Sequence, residues 1–310
     1  MNLSRILCAS DSSDLSRSVL AFAAALAKWE DADLYLLHLT DRDEEPRIQA
    51  PLVPGNRLAT VFVRDDDPVR AIVAHAAHVD ADLIVVGSSL AAMRTDHLGR
   101  LAESIAQQAK CATLIAPLAA PHRREELPFR NILCPVDFSP GSVRAYDHAL
   151  WLTQQAGGTL TLLHVVDEFR DRGGNIRILQ PLERQVRIAE ARARLKLAIP
   201  DESLNWCHVG VHVTAGAADV HIVAEAHRLH SDLIVMAMTP DVANSTGVVS
   251  MVGRVARQVA CPVLVVPTIS SSPIWDDAYD GRERAGASSR EPLASVHTAG
   301  TSASHVGGMA

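Results

Sequence analysis

Cysteine is scarce: five of the 310 residues, with no two in a Cys-x-x-Cys spacing. That excludes a disulfide framework, a zinc ribbon and a thioredoxin-type redox pair, and a reducing, cytoplasmic setting is the expectation that follows. Long apolar runs are also missing. The longest early one, Val19 to Ala27, is about half of the roughly 20 residues a bilayer crossing needs. It follows the acidic Asp11 and Asp14 rather than a basic segment, so neither a signal peptide nor a membrane span is expected. No long basic patch occurs, and the formal net charge is −7, which argues against nucleic acid as the main partner. Three catalytic or nucleotide-binding signatures are absent: the Gly-x-Ser-x-Gly nucleophile elbow, Gly-x-Gly-x-x-Gly and the P-loop. An enzyme is not expected.

What the chain does have is apolar residues, 48% of the total, and an internal repeat. Ile6-Leu-Cys-Ala-Ser-Asp11 returns as Ile132-Leu-Cys-Pro-Val-Asp137, and Leu34-Tyr-Leu-Leu-His38 as Leu160-Thr-Leu-Leu-His164, both at an offset of 126. Asp82-Leu-Ile-Val85 returns as Asp232-Leu-Ile-Val235, and Cys111-Ala-Thr-Leu-Ile-Ala-Pro117 as Cys261-Pro-Val-Leu-Val-Val-Pro267, at an offset of 150. A repeat of this length is two copies of one domain rather than a solenoid. We place them at 1–118 and 130–268, with a linker at 119–129 and a tail at 269–310. The tail is rich in Ser, Gly and Ala and has no apolar periodicity, which predicts disorder.

Within the first copy, apolar runs at 6–10, 34–39, 83–86 and 112–116 are nearly continuous, as parallel strands covered on both faces are. Helical patterns lie between them at 16–29, 67–78 and 98–110, with Asp67 as N-cap before Pro68. The alternation predicts an α/β fold of two tandem Rossmann-like, doubly wound parallel sheets. The second copy follows the same plan and adds an amphipathic helix at 181–198. The matching stretch of the first, 41–56, carries three prolines and reads as a loop, so that copy is expected to lack a helix and have an open flank.

These strings together resemble the universal stress protein family. They are a first strand ending in aspartate (Ile132 to Ser139), Leu-Leu-His-Val (162–165), Ala-Asp-Leu-Ile-Val-Val-Gly-Ser (81–88) and the closing Cys-Pro-Val-Leu-Val-Val-Pro (261–267). The resemblance covers roughly 3–117 and 130–268 and implies a tandem member, an intramolecular pseudo-dimer whose closing strands, 112–116 and 262–266, pair the two copies. It also implies ATP as a candidate ligand, through a G-x2-G-x9-G-[S/T] motif and the aspartate ending the first strand. Glycines would let backbone N–H groups approach phosphates at a helix start.

Copy one keeps Asp11, Gly87, Ser88, Ser89 and Gly99. However, Leu90 replaces the second glycine, eight residues rather than nine precede Gly99, and Arg100 takes the hydroxyl position. Copy two keeps Asp137 and Ser250 but has Ala237, Pro240 and Val249 at the glycine positions. ATP binding is therefore expected, if anywhere, in copy one. Arg100 reads either as a phosphate ligand or as a surface arginine, and Asp11 and Asp137 either as ligand contacts or as turn formers and caps. The functional expectation is a non-catalytic stress-response accessory or binding protein with an unidentified protein partner or small ligand. An ATP sensor using copy one and a carrier of an apolar molecule between the copies are the alternatives.

Fourteen histidines stand in the chain, with His208, His212, His221, His227 and His230 gathered near Cys207. No metal site is expected from them, because copy one has no matching ligands. His38 and His164, at equivalent strand ends, read as pocket lining or as backbone-satisfied caps. Cys8, Cys134, Cys111 and Cys261 read as small buried hydrophobes.

Overall fold

The computed structural model describes residues 3–11, 14–39, 58–63, 67–87, 100–117, 129–168, 178–238 and 250–267. The first copy supplies β1 (Arg5–Ser10), α1 (Asp14–Glu30), β2 (Asp33–Leu39), β3 (Leu58–Val63), α2 (Pro68–His78), β4 (Leu83–Gly87), α3 (Arg100–Gln108) and β5 (Ala112–Ala116). The second supplies β6 (Asn131–Pro135), α4 (Pro140–Ala156), β7 (Thr159–Val166), α5 (Pro181–Leu197), a 3₁₀ turn (Asp201–Asn205), β8 (His208–Ala215), α6 (Ala218–Arg228), β9 (Leu233–Ala237), α7 (Met251–Ala256) and β10 (Val263–Val266). The expected linker, the tail and the loop at 41–56 lie wholly or almost wholly outside the described residues. So does the question of whether copy one lacks a helix.

The strands join into one ten-stranded sheet in the order β3-β2-β1-β4-β5-β10-β9-β6-β7-β8. Neighbours within each half are parallel, and the halves meet through the antiparallel pair β5–β10, with Val263 opposite Ile115, Leu264 opposite Leu114 and Val265 opposite Thr113. The expected pairing of the two closing strands is therefore present. Strand side chains alternate between two cores. Ile6, Cys8, Leu83 and Val85 lie on the side of the sheet that carries α1, α4 and α5; Leu7, Ala9, Ile84 and Val86 lie on the side that carries α2, α3, α6 and α7. Burial on both faces explains why these strands read as unbroken apolar runs.

Local chemistry sets the helix ends. The Asp67 carboxylate accepts the Arg70 N–H at 3.1 Å, with Pro68 at the first helical position of α2. Ser139 caps α4 ahead of Pro140, and Gly157 closes it at φ +58°. Each copy also latches its first strand with one carboxylate. Asp82 accepts the N–H groups of Ser4 and Arg5, and its repeat partner Asp232 accepts those of Arg130 and Asn131.

One strand escapes the sequence pattern. β3 lies at the edge of the sheet, where Ala59, Thr60 and Val61 are exposed and no buried alternation marks it.

Because β5 and β10 bury their side chains on both faces, the halves should stay together without the connecting chain. A protein carrying a protease site engineered between residues 119 and 128 should elute after cleavage as a single complex of both fragments on size exclusion. Separate elution of the two would show that the covalent link, not the sheet, holds them.

Candidate functional site

In an open α/β sheet, ligands gather at the carboxyl ends of the strands, so the expected site residues were located there. In copy one, Asp11 follows the last residue of β1, and Gly87 ends the neighbouring parallel strand β4. The Asp11 carboxylate accepts the Ser16 hydroxyl at 2.5 Å, and Ser16 Oγ in turn accepts the Asp11 N–H at 2.9 Å. Asp11 thus ties the β1 end to the first turn of α1. Arg100 is the first residue of α3. Ser88, Ser89 and Gly99 lie outside the described residues.

Beside Asp11, the buried His38 places Nδ1 3.0 Å from Ser10 Oγ and sets its ring edge-on to Phe62. In copy two, the equivalent His164 Nδ1–H donates to the Val136 carbonyl at 2.7 Å. Positions 10 and 136 correspond in the repeat, so a side chain does in one copy what the backbone does in the other. Burial pushes both imidazoles below their ordinary pKa of 6.5, against the nearby carboxylates Asp11 and Asp137.

Copy two uses its remaining groups internally. Asp137 Oδ1 accepts the Ser139 N–H at 2.9 Å, a turn-forming role. The next residue, Phe138, stands at φ +64°, held between His164, 4.6 Å from its ring centre, and the Arg194 guanidinium of α5, 4.3 Å above it. Ser250 accepts the Gly253 N–H at 3.1 Å as N-cap of α7. Its own N–H donates at 2.8 Å to Glu103 Oε1, a buried carboxylate of α3 in the other copy. The second oxygen of Glu103 lies 3.9 Å from Arg257. At this helix start, the place of an anion is taken by a carboxylate from copy one.

Sequence reasoning missed Glu103, Arg257, Phe138 and Arg194. The one available signal was the repeat register, in which Glu103 stands where copy two has Gly253.

The described histidines of copy two serve separate contacts. His212 bonds Glu225 Oε1 at 2.7 Å, and Arg228 clamps the same carboxylate through Nε and Nη2 at 2.9 and 2.6 Å. Arg228 first, and His212 with it, hold the Glu225 carboxyl below its ordinary range. Among the described residues, no group of three or more metal-ligating side chains forms. The thiols are free. Cys8, Cys134 and Cys207 are buried and Cys111 and Cys261 partly so, and burial pushes Cys8 and Cys261 up to about 12 and Cys111 to about 11. None has the lowered pKa of a reactive thiolate.

The model of the universal stress protein family matches residues 2–59, 44–117 and 128–267, nearly all of both copies. The chain belongs to that family. Copy one is matched in two overlapping pieces and copy two in one. Among solved structures, the chain is similar to a universal stress protein from Archaeoglobus fulgidus, with 17% identity and a TM-score of 0.59, covering 86% of this chain and 99% of that one. It is also similar to a Pseudomonas aeruginosa protein of the same description, with 18% identity and a TM-score of 0.58, covering 92% and 98%. At such identities the likeness concerns the fold. No curated protein matches the sequence.

Two predictions come from this geometry. Glu103→Ala strands the buried Ser250 N–H and should cost about 1–3 kcal/mol in urea unfolding. Glu103→Gln keeps an acceptor and should cost less; equal losses would show that the hydrogen bond is immaterial. The second concerns pH. His38 and His164 bind a proton less readily folded than unfolded, so their contribution to stability is whole above about pH 6.5 and is lost as pH falls through the lowered folded value. His164→Gln should flatten the decline in unfolding free energy between about pH 7 and 5.5; an unchanged slope would assign the decline to other groups.

Proposed function

We propose that this universal stress protein acts without catalysis, as a cytoplasmic accessory or binding protein, and that copy two does not take up nucleotide. The observation that carries the reading is the Glu103–Ser250 contact. A phosphate at the start of α7 would need the Ser250 N–H, which donates to a buried carboxylate, and would meet that negative charge at close range. The Asp137 turn and the Phe138–Arg194 stack support it, since both use the ligand edge of the half-sheet for packing. Five free, mostly buried cysteines suit a reducing compartment. Among the described residues, no helix is long and apolar enough to cross a membrane.

A second reading, an ATP sensor using copy one, is favoured by one observation. Asp11 and Gly87 come together at the ends of adjacent parallel strands, as a nucleotide cradle requires. The third reading, an apolar carrier, depended on an open flank at 41–56, outside the described residues, and has no observation behind it.

Calorimetric titration with ATP separates the first two. The primary reading expects no saturable heat at millimolar nucleotide. Saturable binding lost in Gly99→Trp would move the function to copy one. Binding that survives Gly99→Trp and rises in Glu103→Ala would place a nucleotide in copy two and overturn the proposal.

A further inference from the structure

β8 is the last strand of the sheet at the copy-two end. It pairs with β7 without a break over its eight residues, from Thr159 opposite His208 to Val166 opposite Ala215. The bonds at its two ends fix which groups point inward. The His208 N–H donates to the Gly158 carbonyl, and the Gly216 N–H to the Val166 carbonyl. Even-numbered residues therefore bond β7, and the N–H and C=O groups of Val209, Val211, Val213 and Ala215 point outward. Among the described residues nothing pairs with that outward row.

The strand carries none of the usual protections of an open edge. His-Val-Gly-Val-His-Val-Thr-Ala holds no proline and no Asp, Glu, Lys or Arg, and the ladder has no bulge. Gly210 stands near its middle, where glycine weakens a strand. Nothing inside the molecule requires it there. Its φ is not in the left-handed range, and an added Cβ would meet only the Leu160 carbonyl oxygen, at an ordinary 3.9 Å. A strand glycine with neither a bulge nor an internal contact marks the close approach of something outside the chain.

We propose that the β8 edge pairs antiparallel with the β8 edge of a second molecule of this chain, about a two-fold axis at Val211. Val211 can hold the axis because it is one of the outward residues. It meets its own equivalent, and Val209 meets Val213 of the second molecule, each pair exchanging two N–H···O=C bonds. On the face toward α6, His212, whose ring bonds Glu225, falls opposite Gly210 of the second molecule, and His208 opposite Thr214. The glycine is thus where a large neighbour arrives, and no histidine faces another. On the other face, the valines that already pack into the core beside α5 gain β-branched partners.

The helices allow this approach. α5 connects β7 to β8 and packs over both. Its axis therefore lies about one strand spacing from the two-fold, and about 10 Å from the α5 of the second molecule. That is the contact distance of packed helices. α5 and its flanks are also where apolar area remains to be buried, with Ile178, Leu182, Val186, Leu197, Leu204 and Trp206 all exposed. The same device, antiparallel pairing of two edges, already joins the two copies at β5–β10. Between molecules it places both copy-two halves at the centre of a continuous sheet and both copy-one halves outside. Nothing in this pairing depends on whether copy one binds nucleotide.

Sedimentation velocity of the full-length protein tests the association. The native chain should sediment as a dimer of twice 33.3 kDa. Gly210→Lys should weaken the dimer at least about tenfold, since lysine guards open strand edges. The open space at Gly210 lets the single molecule keep its fold. Disulfide trapping reads the register. Opposed residues of a non-hydrogen-bonded antiparallel pair have Cα atoms about 4.5 Å apart, within disulfide range. A mixture of Gly210→Cys and His212→Cys chains oxidised with diamide should therefore give the mixed dimer by intact mass. A mixture of Gly210→Cys and His208→Cys should give at least about tenfold less, because those positions lie about 13 Å apart. A native chain that stays monomeric up to about 0.2 mM overturns the proposal. So does a dimer that Gly210→Lys leaves intact and Val186→Glu dissociates, which assigns association to the face of α5 alone. Equal trapping in the two mixtures overturns it as well.

Discussion

The backbone edges of β5 and β10 set the condition on which the rest of the structure depends. Each is the last strand of its half-sheet, hydrogen-bonded on one side to β4 or β9 and apolar on both faces. Left open, such an edge would present unpaired N–H and C=O groups beside a buried core and recruit other chains. Pairing the two edges antiparallel satisfies both at once and fuses two five-stranded sheets into one of ten. It also brings α3 and α7 against each other on one face of the sheet, where the Ser250 N–H meets Glu103.

A covalent pair can do what a pair of identical subunits cannot, which is to put different residues at equivalent positions. Glu103 stands where copy two has Gly253, and Arg100 begins α3 where Ser250 caps α7. One copy donates a carboxylate, and the other receives it with a backbone N–H and, more distantly, with Arg257. In a symmetric dimer each such substitution would occur twice and the donor and receiver could not specialise. The same divergence appears at the strand ends, where His38 is held by a serine hydroxyl and His164 by a backbone carbonyl.

The features legible in the sequence were those decided locally or repeated. Continuous apolar strands, the Asp67 cap before Pro68 and the helix over 181–197 rest on residues close together in the chain. The repeated strings carried the resemblance to the family, and that resemblance implied the pairing of the closing strands. β3 was hidden because an edge strand half in water has no burial to imprint a pattern. Glu103 was hidden for a different reason: its partner lies 147 residues away, and nothing near it distinguishes a capping carboxylate from a surface one. Arg194 and Phe138 meet by the same long-range route, through the packing of α5 on the sheet.

These asymmetries bear on which donors a ligand could use. A phosphate cradle works only if its donors are idle in the empty protein, because each N–H surrendered from an internal bond must be repaid by the ligand. Among the described residues of copy two, three donors near the ligand edge are committed. The Ser250 N–H goes to Glu103, the Gly253 N–H to Ser250, and the Ser139 N–H to Asp137. Breaking the first of these would also leave a buried carboxylate stripped of its only strong hydrogen bond, since its contact with Arg257 is long. Loss of the glycines and engagement of the donors therefore act in the same direction. What copy two presents to solvent along α5 is instead apolar and basic.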